Sequence, residues 1–337
     1  MKQTNRFRSK IKHAIYSLLK PKHADKLRNI YSLKDKFLFD KTIEKKVKDL
    51  ITTRNKDVTL AEDLDLLKGL HKLFPTYDLS DNYKLDNLLA SARSRLKYLA
   101  SFGVDLQGKD LVDFGAGHGE NLMIVKDFGL NSCIGYDFSD DRFNEHKKNL
   151  SAEVLSLIEF KTLDLVVENI GYNNCDIILS FSAFEHFSDP GEVLNRCYNA
   201  LRPGGVLYAE FAAYNAPFAT HRKLFSGVPY VQNIFNDEVA YEFFYTDLKI
   251  NEGINRYTEE KIVDQNPYPE VNRWKISDYE AAFLEEEKWD TINYTKVINY
   301  QYQWFLNLFK NETSGLSNDD LYADYLKFIL RKKGNTS

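Results

Sequence analysis

Three glycines at alternate positions, Gly115, Gly117 and Gly119, follow the run Leu111-Val112-Asp113-Phe114. Glycines at that spacing let a backbone turn tightly and lie against a ligand with no Cβ in the way. The spacing is not the dinucleotide fingerprint G-x-G-x-x-G, whose last glycine would fall on Glu120. Asp113, two residues before the first glycine, would repel a pyrophosphate but can accept hydrogen bonds from an ammonium group. Asp113, Gly115, Ala116 and Gly117 therefore suit a zwitterionic amino-acid tail with a sulfonium better than a phosphate. Asp137 stands 24 residues after Asp113 at the end of the next apolar run, where an acid can take both hydroxyls of a ribose. The alternative for Asp137, a helix N-cap, suits Asp140 better. A third run ends in Leu163-Asp164-Leu165. There Asp164 can accept from the exocyclic amine of adenine while the Leu165 N–H donates to the ring.

Two histidines are candidate general bases. His186, in Phe184-Glu185-His186-Phe187, follows the fourth expected strand, and His221 lies in Ala219-Thr220-His221-Arg222-Lys223. Imidazole accepts protons near neutral pH; packing or orienting roles are the plainer alternatives. Glu185 either orients His186, binds a substrate or joins a salt bridge. His118 sits inside the glycine turn and faces the ligand or solvent. The aromatic stretch after residue 212 is expected to cover a substrate pocket, with Tyr214, Arg222 and Tyr230 as contacts beside Glu185. Flat rings stack on sugars and enclose methylammonium groups equally well, and half of these rings would close the segment's own core.

These residues need a scaffold that gathers strand ends. From Asp110 to Phe211, short apolar runs at 111–114, 132–136, 158–162, 176–180 and 206–211 alternate with helical patterns at 121–128, 140–150 and 191–201. That alternation predicts an α/β, Rossmann-like doubly wound parallel sheet. Upstream, helices are expected around Phe7–Leu19, after Thr59 and over 84–102, where Gly103 ends the last. Downstream come a helix over 277–285, a strand over 289–297, a short helix near Asp319 and a strand over 325–330. The organisation read from this is a helical N-terminal extension (1–82), a ligand-binding core (83–211), a cap inserted after the fifth strand (212–276) and a C-terminal completion of the sheet (277–337).

The net charge of −4 on 337 residues gives no general attraction to nucleic acid. Residues 1–30 are the exception, with nine Lys or Arg against Asp25 alone. This helical face is expected either to be solvated or to contact an anionic membrane surface or a protein partner. Cys133, Cys175 and Cys197 form neither an even disulfide set nor a C-x-x-C pair, so no metal is expected from spacing. With no secretory segment and no run of about 18 apolar residues, the expected location is cytoplasmic, peripheral to the inner membrane surface where residues 1–30 make that contact. The oligomeric state is not legible.

Five pieces in order, LVDFGAGHG, IGYDFS, LDL, SFSAFEHFSDP and LRPGGVLYAEF, resemble the core of class I S-adenosylmethionine-dependent methyltransferases. The resemblance covers about a third of the chain. It implies a seven-stranded sheet with the last strand antiparallel. It also implies S-adenosylmethionine as cofactor, with the methionine part on the glycine turn, the ribose on Asp137 and the adenine against Phe138, Asp164 and Leu165. Ser180 and Phe181 complete the implied donor set. Ala116 stands where the family often has Cys. The runs ATHRKLFSGVPYVQNIF and DDLYADYLKFILRKK are similar, more loosely, to methyltransferases of surface-polysaccharide genes, which implies O-methylation of a sugar or glycan. Methylation of a small amine or other metabolite is the alternative. A nicotinamide dehydrogenase is disfavoured by the missing glycine, and a non-catalytic binding module by the three strand-end acids.

Overall fold

The computed structural model describes residues 41–52, 59–74, 76, 83–168, 170–171, 174–250 and 266–334. The expected basic helix of residues 1–30 lies outside them. The chain divides into two compact units, residues 1–58 and 59–337. In the first, residues 41–51 are helical; everything that follows concerns the second.

Seven strands form one sheet: β1 (Asp110–Phe114), β2 (Ser132–Asp137), β3 (Ile158–Thr162), β4 (Cys175–Phe181), β5 (Leu201–Phe211), β6 (Trp289–Ile298) and β7 (Ala323–Lys332). Their order is β3-β2-β1-β4-β5-β7-β6. The pairings among β1 to β5 are parallel, while β7 runs antiparallel to both β5 and β6. The central strands β1, β4 and β5 are buried on both faces, which explains their apolar runs. Val112, Ile178, Leu207 and Phe328 point into one core; Leu111, Ile177, Val206 and Ile329 point into the other. The order reverses between β1 and β4, so the crevice for a ligand opens at their carboxyl ends.

Helix α1 (Leu60–Leu73) starts at a capping box, in which Thr59 and Glu62 satisfy each other's backbone N–H groups. It packs on the segment after β5: Lys68 pairs with Asp247 at 2.9 Å, and His71 lies edge-on to Phe243. Thus a helix assigned by sequence to the N-terminal extension is built into the larger unit. Helix α2 (Leu85–Ala100) buries Leu88, Ala92, Leu96 and Leu99. The helix expected over 121–128 is split into α3 (Glu120–Met123) and a 3₁₀ turn, Val125–Phe128, by Ile124 at φ −97°, ψ 14°. Helices α4 (Asp141–Lys147), α5 (Pro190–Ala200) and α6 (Ile276–Phe283) follow β2, β4 and the cap.

The cap between β5 and α6 is held by a buried ion pair. The Arg222 guanidinium donates to Glu270 Oε2 at 2.9 Å, to the Pro267 carbonyl at 2.9 Å and to Tyr245 Oη at 2.9 Å. Such saturation is what keeps a buried charge from destabilising a core.

Candidate active site

A cavity of about 730 Å³ opens at the β1/β4 switch point. Its wall brings together Gly115, Ala116, Gly117, Asp137, Phe138, Asp164, Leu165, Phe181, His186 and His221, all singled out from sequence. Gly115, Gly117 and Gly119 adopt φ of +76°, +52° and +73°. A Cβ on Gly115 would collide with the Ala183 methyl, and one on Gly119 would meet the Phe143 ring. The turn thus leaves its backbone bare at alternate positions. The Gly117 N–H donates to Asp137 Oδ2 at 2.8 Å, tying the turn to the end of β2. Burial raises the Asp137 carboxyl above its ordinary pKa although backbone N–H groups oppose the shift.

Six expected contacts, Asp113, Ser180, Glu185, Tyr214, Arg222 and Tyr230, are not on that wall. Asp113 is buried behind the turn, where Oδ2 accepts from Asn121 Nδ2 at 2.9 Å and Oδ1 has no hydrogen-bond partner. Burial pushes its carboxyl up to about 7. Ser180 is also buried and gives its hydroxyl to the Phe114 carbonyl at 2.9 Å, bridging β4 to β1. Tyr230 is fully buried with Oη on the Leu321 carbonyl at 2.6 Å. Tyr214 stands off the cavity with the Arg273 guanidinium 5.5 Å from its ring centre. Arg222 is committed to Glu270 and reaches the wall only through it. Phe235, Phe243, Phe244 and Tyr268 of the cap are likewise buried and off the cavity wall.

The acceptor side of the cavity is polar instead. His186, His221, Lys223, Glu270, Ser182, Ser188 and Tyr325 line it. Sequence reading missed Lys223, Glu270 and Tyr325, as well as Tyr83, Arg95 and Arg142 on the donor side. The only signal for Glu270 was its place directly after Pro269; Tyr325 follows from alternation along β7. Ser182 and His221 both hold left-handed backbone, φ 48° and 58°. For side chains with a Cβ this costs about 1–3 kcal/mol and concentrates at functional sites.

His186 Nδ1 lies 2.5 Å from the Glu270 carbonyl oxygen. A carbonyl only accepts, so Nδ1 carries a proton, and in the neutral form of the ring the lone pair lies on Nε2. The His221 ring packs 4.7 Å away, and His221 Nε2 is 3.9 Å from Glu185 Oε1. Glu185 is buried beneath them with Oε2 unpartnered, and burial pushes its carboxyl from 4.5 up to about 8. Lys223, half-buried, has its pKa lowered by burial against the opposing charge of Asp324.

The spacing of Cys and His gave no metal cluster, yet the fold gathers two groups whose ligand atoms lie within 4.8 Å of one another: Glu185, His186 and His221, and His118, Glu145 and His146. The His118 pKa is lowered, chiefly by burial, which favours the neutral imidazole.

A buried neutral carboxyl has a measurable signature. Because the folded pKa of Glu185 exceeds the unfolded one, its stability contribution declines as pH rises from 4.5 to about 8, with a limiting slope of about 1.4 kcal/mol per pH unit. Glu185→Gln is therefore expected to gain stability over the parent as pH rises. Urea midpoints at pH 5 and pH 8 check this; an equal difference at both pH values contradicts it.

A family model described as a methyltransferase domain matches residues 83–264, more than half of the chain. The chain is 27% identical over 142 residues to a ubiquinone biosynthesis O-methyltransferase of Coxiella burnetii, covering 42% of this chain and 58% of that protein. It is 30% identical over 111 residues to phosphoethanolamine N-methyltransferase 2 of Caenorhabditis elegans, covering 33% of this chain and 25% of that one. It thus spans less than two thirds of the length of either relative. Among solved structures, an S-adenosylmethionine-dependent methyltransferase from Mesorhizobium loti aligns at TM-score 0.46 and 13% identity, covering 74% of this chain and all of that one. No helix among the described residues is long and apolar enough to cross a membrane.

Proposed function

This chain belongs to the methyltransferase-domain family and takes S-adenosylmethionine as its methyl donor; on that premise we propose that it O-methylates a sugar or glycan hydroxyl of a surface-polysaccharide intermediate. The residues present suit the donor. The bare backbone at Gly115 and Gly117 and the carboxylate of Asp137 would hold its methionine and ribose parts, and Phe138, Asp164 and Leu165 its adenine. When bound, S-adenosylmethionine supplies a methyl group already activated on a sulfonium.

The observation that carries the O-methylation reading is the His186 tautomer. With Nδ1–H held by the Glu270 carbonyl, Nε2 is the ring nitrogen that would take an alcohol proton. A hydroxyl of high pKa needs such a base as the new C–O bond forms, whereas a neutral amine does not. The polar acceptor wall favours a hydroxyl-rich ligand, because no described Phe, Tyr or Trp of the cap lines the cavity to form an aromatic cage. Lys223 suits an acidic group on that ligand, such as the phosphate of a sugar nucleotide or lipid-linked glycan. The basic segment 1–30, outside the described residues, would keep the protein near a membrane surface where such lipids are assembled.

Labelled donor and a panel of sugar nucleotides, lipid-linked glycans, phosphoethanolamine and catechol-type phenols test this reading. Label is expected in the sugars, and Lys223→Met is expected to raise KM for phosphorylated acceptors about 10- to 100-fold, the range for a lost charge-assisted hydrogen bond. Transfer to amines or phenols with none to sugars overturns it.

A further inference from the structure

We propose that His118, Glu145 and His146 form a binding site for a divalent transition-metal ion of the zinc class, and that its occupancy tunes donor affinity. His118 lies between Gly117 and Gly119 in the turn and lines the donor cavity; Glu145 and His146 are on α4. Nothing in the methyl-transfer mechanism uses either α4 residue, and the site is independent of what the acceptor is.

Three observations carry the site. First, the three side chains offer ligand atoms within 4.8 Å of one another. Second, the imidazole rings stand 5.4 Å apart, centre to centre, although the residues are 28 apart in sequence. Third, His118 Nδ1 and His146 Nε2 are both buried with no hydrogen-bond partner. A buried polar atom left unpaired costs about 1–3 kcal/mol, and one cation between the two rings removes both losses. Glu145 is exposed, so its carboxylate is free to swing onto the same ion.

The ligand chemistry selects the ion. Two imidazoles and one carboxylate suit Zn²⁺, Co²⁺ or Ni²⁺ rather than Mg²⁺ or Ca²⁺, which take all-oxygen shells. Three protein ligands leave a fourth position open. Arg142, one turn before His146, opposes a cation; Glu120 and Glu145 oppose Arg142.

The coupling follows from position. His118 is part of the turn that cradles the donor, so an ion that joins it to α4 restricts the same backbone the donor needs in place. By linkage, whatever factor the metal applies to donor affinity the donor applies to metal affinity.

Titration of metal-free, full-length protein with Co²⁺, read by d–d absorption, and with Zn²⁺, read by calorimetry, tests the site. One equivalent is expected to be lost or weakened at least tenfold in His146→Asn and in Glu145→Gln, the second a surface change that leaves the fold intact. The same equivalent should persist in His221→Asn, which breaks only the second histidine group. Zn²⁺ should alter donor affinity in the parent and not in His146→Asn. Unchanged stoichiometry and affinity in both α4 variants overturns the site. A metal-insensitive donor affinity in a protein that does bind the ion through His146 overturns the coupling alone, and neither result depends on the acceptor.

Discussion

His186→Ala is expected to lower kcat by about 10²- to 10⁴-fold, the usual worth of a positioned general base, while donor affinity stays near that of the parent. The split follows from where the ring sits. His186 stands on the acceptor wall, its Nδ1 proton held by the Glu270 carbonyl, whereas the donor half of the cavity is built from the ends of β1, β2 and β3. In the parent, kcat/KM should show an ascending pH limb, as general-base catalysis requires. In His186→Ala that limb should disappear. Steady-state rates across pH, with donor binding measured separately by calorimetry, check both parts. A fall of less than tenfold with the pH limb intact would pass the base role to His221, whose ring is the neighbour at 4.7 Å. A small effect on an amine acceptor would point instead to positioning of an already neutral nucleophile.

The donor half of this site was legible in the sequence because its signals are local. Gly115, Gly117 and Gly119 are neighbours in the chain, and Asp137 and Asp164 each close a run whose apolar pattern marks a strand. Parallel strands then carry those ends to one edge without further information. The acceptor half depends on packing between distant segments. Glu270 meets His186 from 84 residues away, and no spacing rule joins the two. Tyr214 and Tyr230 were reasonable substrate contacts by type, but the same ring that can stack on a ligand can fill a core. Which of these happens is decided by the tertiary neighbours, here Leu321 for Tyr230 and Arg273 for Tyr214. Arg222 shows the same limit: a cation beside His221 in sequence turns away from it to neutralise buried Glu270. Asp113 differs again. Its place at the end of β1 was evident, but its burial beneath the turn, with Asn121 as partner, follows from how α3 folds back over the strand.

Gly115→Ala is expected to destabilise the fold by about 2–5 kcal/mol and to weaken donor binding at least 100-fold. Two costs add. At φ +76° an L-residue gives up about 1–2 kcal/mol. The new methyl would also meet the Ala183 methyl, with the Ala183 Cα at 3.7 Å behind it, and overpacking of that kind costs about 1–3 kcal/mol. Neither group is the tip of a flexible chain, so relief requires the ends of β1 and β4 to part, and those ends frame the cavity. Gly204→Ala is the control, since Gly204 has φ +80° with nothing within 4 Å and should show the conformational cost alone with donor binding intact. Ala183→Gly should rescue the steric part of Gly115→Ala and leave the backbone part, giving a coupling of about 1–3 kcal/mol in a double-mutant cycle. Denaturant midpoints and donor calorimetry on the four proteins of that cycle measure it. If the two substitutions add with no coupling, the close approach of β1 and β4 is not what shapes the donor cradle, and the glycine is there for its backbone angle alone.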